Sequence, residues 1–359
     1  MPSYTKEEKA AVWLDSFGLD LTKKQKLYRL AGGFYPLAAR FHALRKGIEE
    51  IVGAERAAEM ERSLTAQGVR SLLEEYAQKG VACVSYPSAL YPEALRHIPD
   101  PPLVLYCKGD TSLLGTRKFA IVGSRRTRPQ TLKQTEKFAA GLARAFTIVT
   151  GLAEGGDTAA ALGALAVGKV ICVLPYGFDY VYPACNADLL AKVVQKGLAV
   201  SEYRPQETVR NYHFPARNRI IAGLSEGVLV VSAGAKSGTR TTADSAFAYG
   251  RDVFAFPYDI GVTSGVGCNA LIKEYAKLAD EIVDITAAFG INLTEAAEEE
   301  PPLTPAERAV LDAVGEETAH IEEIAARAGI PAHELAVPLT MLQMKKKLVA
   351  CGGNRYSKG

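Results

Sequence analysis

The feature that most constrains the fold is a series of short apolar runs in the middle of the chain, separated by stretches of helical pattern. The runs begin about 25 to 30 residues apart, the spacing of strands that alternate with helices. A run that is apolar at every position is typical of a strand buried on both faces of a sheet. The sequence therefore predicts an α/β fold with a doubly wound, mostly parallel sheet. The runs are FAIVG (119–123), FTIVTG (146–151), KVICVLP (169–175), GLAVSE (197–202), GVLVVSA (227–233), DVFAFP (252–257) and, as a possible seventh, EIVDI (281–285).

The blocks on either side of this sheet domain, placed at 113–290, have different patterns. Helical periodicity in KEEKAAVWLDSF and SLLEEYAQKG predicts an N-terminal helical domain over 1–112, which ends in a strand signal (VACVSYP) and an extended, proline-containing segment. An acidic, proline-containing linker is predicted over 291–302. Three helical patterns and a glycine-centred hairpin then predict a winged-helix-like domain over 303–359.

Composition and motifs exclude several classes of protein. No apolar run reaches the roughly 18 residues of a membrane span, and the N-terminus has no signal-peptide core. The six cysteines form no C-x-x-C pair, so we expect neither a zinc site nor disulfides, and a cytoplasmic location. The phosphate loop of ATPases, the G-x-G-x-x-G fingerprint and H-E-x-x-H are all absent, so no cofactor, metal or catalytic residue is predicted.

Glycine-containing turns follow four of the predicted strands. The carboxyl ends of parallel strands meet at one edge of a sheet, so we expect these turns to lie together. Free backbone N–H groups and the helix dipole favour an anion there, and glycine lets a ligand approach closely. Tight turns need glycine in any case, but four at one edge predict an anionic ligand. The turns contain Gly123 and Ser124, Gly151, Gly177, and Ser237, Gly238 and Thr239.

Basic and aromatic residues near these turns indicate the kind of anion. Between Thr116 and Thr135 there are six basic residues and no acid, and Arg125 and Arg126 directly follow the first turn. Guanidinium groups bind phosphate bidentately, although such a run is also typical of a solvated surface. The net charge of only +2 makes this a local feature.

A second basic segment, FPARNRIIAGLS, is predicted to be a loop entering the helix before the fifth strand. In it Phe214 offers a stacking platform for a base, with core packing as the alternative. Its arginines, Arg217 and Arg219, are expected to share one groove with Arg125. For one of the two, the alternative is a structural ion pair with an acid such as Glu202 or Asp157.

Taken together, these segments resemble the DNA-processing protein A family (DprA, also called Smf). The resemblance implies an extended Rossmann-like central domain that binds single-stranded DNA as a homodimer and recruits the RecA recombinase in natural transformation. It implies no chemical reaction. The segments that carry it are PDPPLVLY, VGSR, TGLAEGGD, GFDYVYP, the SE of VSEY, FPARNRIIAGLS, SGT and GVGCNALI.

By position, the resemblance assigns DNA contacts or the border of a DNA pocket to several residues. Arg125 matches the arginine of the GSR element, and Phe214 begins the FP-x-RNR element. Lys169 matches a basic position before the third strand. The predicted DNA-binding residues are Gly123, Ser124, Arg125, Arg126, Gly151, Lys169, Phe214, Arg217, Asn218, Arg219, Ser237, Gly238 and Thr239.

The chain also departs from the family pattern at five positions. Thr150, Gly156 and Ala161 replace the usual serine, isoleucine and histidine, Ser232 stands where glutamate is usual, and Tyr275 replaces a glycine. The lost polar groups argue further against catalysis.

Two other functions stay open at this point. A Rossmann-like nucleotide hydrolase would need a catalytic acid beside the SGT turn, and Ser232 removes the obvious candidate. A winged-helix regulator of duplex DNA would read bases with PAHELAVPLTMLQMKKKL. The basic residues of that helix, at 345–347, come late, whereas recognition helices usually read bases from their N-terminal part.

Overall fold

The computed structural model describes residues 4–292, 303–315, 318–345 and 347–358. The chain divides into two compact units, Met1–Asn292 and Leu293–Gly359. The predicted acidic linker lies outside the described residues from position 293 onward. Within the described residues, no helix has both the length and the apolar character needed to span a membrane.

The first unit is built around one sheet of nine strands, flanked by helices. The strands are β1 (Ala82–Ser85), β2 (Val104–Gly109), β3 (Lys118–Gly123), β4 (Thr147–Thr150), β5 (Val170–Leu174), β6 (Leu198–Ser201), β7 (Gly227–Ser232), β8 (Asp252–Ala255) and β9 (Lys277–Leu278). Their order across the sheet is β1-β2-β6-β5-β4-β3-β7-β8-β9. The β1–β2 and β2–β6 pairs are antiparallel, and all the other neighbouring pairs are parallel.

The sheet is doubly wound, as predicted, because its strand order reverses between β3 and β7. Alternate residues of β3 serve two cores: Phe119 and Ile121 face one, and Ala120 and Val122 face the other. The helices that line the first core are α8 (Pro129–Leu142), α9 (Gly156–Val167), α10 (Ala187–Lys196) and α14 (Ile282–Ala288). Those that line the second are α7 (Glu93–Arg96), α11 (His213–Leu224), α12 (Gly238–Ala248) and α13 (Val266–Glu274).

The N-terminal block is helical, as predicted, and is joined to the sheet. Its helices are α1 (Lys6–Asp15), α2 (Leu21–Ala31), α3 (Phe34–Ala39), α4 (Phe41–Val52), α5 (Ala54–Ser63) and α6 (Ala66–Gln78). They surround a separate core that contains Trp13 and receives Tyr106 from β2. The Tyr106 hydroxyl donates to Asp15 at 2.8 Å, so the helices and the sheet share one compact unit.

The second unit has the predicted winged-helix arrangement of three helices and a hairpin. Its helices are α15 (Pro305–Val314), α16 (Ile321–Ala328) and α17 (Ala336–Met344), and its strands are β10 (Ala319–His320), β11 (Leu348–Gly352) and β12 (Arg355–Lys358). The strands pair in the order β10-β12-β11. Val310, Ile324, Leu339 and Leu342 form the core of this unit.

Two segments differ from the sequence prediction. EIVDI, suggested as a seventh strand, forms the start of α14, because Glu281 and Asp284 make a reciprocal capping box that begins a helix there. FPARNRIIAGLS is not a loop but most of α11, which begins at His213. This second difference decides where the two arginines of the segment point.

Candidate nucleic-acid interface

A cavity of about 590 Å³ opens where the strand order reverses, at the carboxyl ends of β3 and β7. Open α/β sheets bind their ligands at this kind of position. The turn after β3, the start of α11 and the start of α12 all contribute to its walls. The predicted residues that line it are Gly123, Ser124, Arg125, Arg126, Phe214, Arg217, Asn218, Ser237, Gly238 and Thr239.

The turn after β3 is fixed by a buried serine. The backbone N–H of Ser124 donates to the Oγ of Ser232 at 2.9 Å, and Thr127 shares a hydrogen bond with the same hydroxyl at 2.6 Å. A Cβ on Gly123 would lie 2.9 Å from the Cα of Gly156, so the two glycines allow β3 and α9 to meet. Ser232, one of the positions where the chain departs from the pattern expected from the resemblance, therefore has a structural role here.

Arg125 is one of the exposed cations that line the cavity. Its guanidinium carbon lies 5.1 Å from the ring centroid of Phe214 and 5.9 Å from that of Tyr182. Among the described residues, no acid forms an ion pair with Arg125 or with Arg126. Both guanidinium groups are therefore available to an anionic ligand. Phe214 is half-exposed, and it does not belong to the core.

The basic run seen in the sequence divides between the two edges of the sheet. Arg117, at the amino end of β3, pairs with Glu226 at 2.7 Å. The buried Lys118 donates to the carbonyl oxygen of Leu114 at 2.8 Å. Arg125 and the residues that follow it lie at the other end of the strand, so only the later part of the run reaches the cavity.

Arg217 lines the cavity but is buried, and its hydrogen bonds are internal. Its Nη1 donates to the carbonyl oxygens of Gly151 and Val173, each at 2.6 Å. The arginine thus ties α11 to the carboxyl ends of β4 and β5. Nearby, burial raises the pKa of Asp157, although the positive charge of Arg217 opposes that shift.

Arg219, two residues later, does not line this cavity. Its Nε lies 2.7 Å from Asp100 and its Nη2 lies 2.6 Å from Glu202, so the structural ion pair weighed as an alternative is present. The expected groove of three arginines is not formed. Lys169 is exposed at the amino end of β5, at the opposite edge of the sheet from the cavity.

The start of α12 forms another part of the cavity wall. Ser237 caps the helix, and its Oγ accepts from the N–H of Thr239 at 3.2 Å. The side chain of Asn218 donates to the carbonyl oxygen of Gly238 at 3.1 Å and to Thr241 at 2.9 Å. The asparagine therefore positions the SGT turn, while the helix start favours negative charge.

Two of the predicted glycine turns take other positions. Gly151 borders a small neighbouring cavity that shares Arg125 and Phe214 with the large one. Gly177 borders neither cavity, and a Cβ at this position would clash with the carbonyl oxygen of Arg204.

Sequence reasoning missed several residues at this interface. Lys236, Thr263 and Ser264 line the large cavity, and Tyr182 lines the small one beside Phe214. Tyr182 belongs to GFDYVYP, one of the segments that carry the family resemblance. Its contact with Phe214 could not be predicted, because the two residues are far apart in the sequence. In the part of the chain that the structure describes, no group of three or more His, Cys, Asp or Glu side chains is arranged to hold a metal ion.

Comparison with known proteins points to one family. Residues 82–290 match the family profile of DNA recombination-mediator protein A, and residues 294–354 match the DprA winged helix domain. The DNA processing protein DprA of Streptococcus pneumoniae is 45% identical over 200 residues, which is 55% of this chain and 71% of that protein. Protein Smf of Escherichia coli is 36% identical over 278 residues, 74% of either chain.

Solved structures give the same assignment. The X-ray structure of DprA from Streptococcus pneumoniae superposes with a TM-score of 0.68 at 34% identity, covering 80% of this chain and 98% of that one. DNA processing protein A from Helicobacter pylori, described for its single-stranded DNA binding mode, superposes with a TM-score of 0.54 at 33% identity, covering 58% of this chain and 95% of that one. By its sequence, its fold and the profile that spans its sheet, this chain belongs to the DNA processing protein A (DprA/Smf) family.

Proposed function

We propose that this protein binds single-stranded DNA at the cavity between β3 and β7 and passes the strand to RecA during natural transformation, without reacting chemically with it. The observation that carries the proposal is the exposed Arg125, which has no ion pair among the described residues and lies beside the half-exposed ring of Phe214. A guanidinium group next to an aromatic ring offers a phosphate contact and a stacking surface together. The relative from Helicobacter pylori, whose structure concerns single-stranded DNA binding, supports the same ligand.

We propose further that two copies act together, through the β9 edge of the sheet. Phe247 is 57% exposed and stacks on Tyr275 at 4.3 Å, and Leu278, in the edge strand β9, is also exposed. Such an apolar patch is typical of a self-association surface. A dimer would present two cavities to one strand, which raises the effective concentration at the second site. Sedimentation at micromolar concentration should give a dimer, and a monomer with and without DNA would contradict this.

The nucleotide-hydrolase alternative lacks support at the SGT turn. The buried hydroxyl of Ser232 is engaged by Ser124 and Thr127, and the carboxylate of Asp157 accepts from the N–H of Gly123 at 3.1 Å. Both groups hold the backbone in place. Incubation with nucleoside monophosphates should release no base.

The duplex-regulator alternative is disfavoured by the composition of α17. The helix contains no charged residue, and Val337, Met341 and Met344 are exposed on it. A helix that enters the major groove normally carries polar and basic side chains. We therefore assign the main DNA site to the first unit.

The experiment that tests the proposal is binding of a fluorescent oligothymidine, alone and against unlabelled duplex. We expect binding that depends weakly on sequence, is displaced poorly by duplex, and weakens as salt is raised. Equal competition by duplex and single strand at roughly physiological ionic strength would contradict it.

The RecA step requires a separate assay. Strand-dependent ATP hydrolysis by RecA on oligothymidine coated with single-strand-binding protein should start sooner when this protein is added. An unchanged lag would remove the RecA part of the proposal and leave the DNA-binding part intact.

A further inference from the structure

Tyr182 and Phe214 form an aromatic corner beside Arg125. Their ring centroids lie 5.8 Å apart, and their planes meet at 69°. The guanidinium carbon of Arg125 lies 5.9 Å from the first ring and 5.1 Å from the second. Tyr182 is 40% exposed, so much of its ring is open to solvent.

The exposed ring of Tyr182 stands on a firmly anchored loop. The hydroxyl of the buried Tyr176 donates to the carbonyl oxygen of Tyr182 at 2.7 Å. A few residues later, the buried Asn186 donates to the carbonyl oxygen of Leu152 at 3.0 Å and to Thr158 at 2.9 Å. An aromatic ring left exposed on a loop that is fixed at both ends is a preorganised contact surface, because little conformational entropy is lost when a ligand covers it.

We infer that Tyr182 is a second stacking platform for the DNA strand. Two successive bases lie on Phe214 and Tyr182, and Arg125 contacts the phosphate that joins them. This inference rests on the proposed function and deepens it, since it states how the site selects among nucleic acids.

The angle between the two rings determines which nucleic acids can bind at this corner. Neighbouring bases in a helix are parallel, whereas bases that lie on rings 69° apart are not. A strand must therefore unstack at this step in order to occupy the corner. Duplex DNA resists unstacking, and oligoadenine stacks on itself more strongly than oligothymidine. Within a weak overall dependence on sequence, we therefore expect a modest preference for oligothymidine over oligoadenine.

A purely structural role makes a different prediction. If Tyr182 only supports Phe214 and Arg125, its removal lowers affinity for every single strand by the same factor. If it receives a base, its removal lowers affinity most for the strand that unstacks easily. The ratio of the two affinities therefore separates the roles.

The test compares Tyr182→Ala and Tyr182→Phe with the wild-type protein on fluorescent oligothymidine and oligoadenine of equal length. Tyr180→Ala is the matched control, because Tyr180 is 42% exposed on the same loop and borders neither cavity. We expect Tyr182→Ala to lose at least about fivefold on oligothymidine and less on oligoadenine. Tyr182→Phe, which keeps the ring, and Tyr180→Ala should both behave like the wild type.

The outcomes are distinguishable. If the wild-type protein binds oligothymidine and Tyr182→Ala binds it equally well, or loses the same factor on both strands, the stacking role is wrong and the proposed function stands. If the wild-type protein binds neither strand, the proposed function itself fails. As an independent check, oligothymidine carrying one 5-iodouracil should photocrosslink to the peptide that contains Tyr182, and absence of that crosslink at every position tried would overturn the inference.

Discussion

The Nη1 of Arg217 lies 2.6 Å from the carbonyl oxygen of Gly151, and this contact explains why a glycine is needed at position 151. A Cβ at that position would clash with the guanidinium group. The glycine thus makes room for an arginine that holds the backbone of two strand ends. The same contact holds the backbone of the turn at Gly151 in place.

The first prediction follows from that contact. Arg217→Ala should cost about 3–5 kcal/mol of stability, because it leaves buried carbonyl groups and Asp157 without their cation. Gly151→Ala should cost about 1–3 kcal/mol through overpacking. In the double variant most of the Gly151→Ala cost should disappear, since the methyl group then occupies vacated space. Urea unfolding of the four proteins measures this coupling, and strictly additive costs would contradict it.

Arg219 should behave as a structural residue. Arg219→Ala leaves the carboxylate of Glu202, whose side chain is only 15% exposed, without its cation, and desolvation already raises the pKa of that group. We expect a loss of about 3–5 kcal/mol in stability, with oligothymidine affinity preserved in the folded protein. Arg117→Ala is the control, because its exposed pair with Glu226 should be worth less than about 1 kcal/mol. A clear loss of DNA affinity without loss of stability would contradict this assignment.

His213 should make stability fall in mild acid. The histidine is buried, stacks on Tyr203 at 3.9 Å and donates from Nδ1 to the carbonyl oxygen of Pro175. Burial lowers its pKa below the ordinary value of 6.5. The unfolded chain therefore takes up a proton before the folded one does, and stability is lost as pH falls below about 6.5.

The measurement is urea unfolding between about pH 7.5 and about pH 5.5. The wild-type protein should lose up to about 1.4 kcal/mol per pH unit from this group. His213→Phe keeps a ring against Tyr203 but cannot titrate, so its stability should change less over the same interval. Equal pH dependence of the two proteins would show that the histidine does not contribute.

The sheet could be predicted from the sequence because a strand that is buried on both faces has apolar residues at every position. The glycine turns then followed from the rule that parallel strands end at one edge. The different positions of the Arg217 and Arg219 side chains could not be predicted in the same way. As loop residues they would share a groove, but in α11 residues two positions apart point about 200° from each other. Arg217 therefore lies in the cavity wall, and Arg219 forms its ion pairs on the opposite side of the helix.

The same reasoning explains the divided basic run. Six residues of β3 separate Arg117 from the turn at Ser124, and a strand rises roughly 3.3 Å per residue. Charges that are close in sequence therefore end at opposite edges of the sheet. Tyr182 shows the converse, since the contact of its ring with Phe214 depends on the path of two loops that are remote in sequence.

The last prediction concerns Arg125, the cation on which the proposed function depends. It is exposed, it has no ion pair among the described residues, and it faces two aromatic rings. Arg125→Ala should remove a charge-assisted hydrogen bond to phosphate worth about 1.5–3 kcal/mol, a loss of about tenfold to a hundredfold in oligothymidine affinity. Because no ion pair among the described residues is lost, and the two ring contacts lie at an exposed site, the melting temperature should barely change. The slope of log affinity against log salt concentration should also become shallower, by about the amount that one phosphate contact contributes.

Arg117→Ala is the matched control for Arg125→Ala, because Arg117 is an exposed arginine of the same basic run at the other edge of the sheet. It should bind oligothymidine as the wild type does. Binding and melting are measured on the same samples, so that a loss of affinity is not confused with a loss of folded protein. Unchanged affinity of Arg125→Ala, together with a clear fall in its melting temperature, would make Arg125 a structural residue and would leave the proposed phosphate contact without its cation.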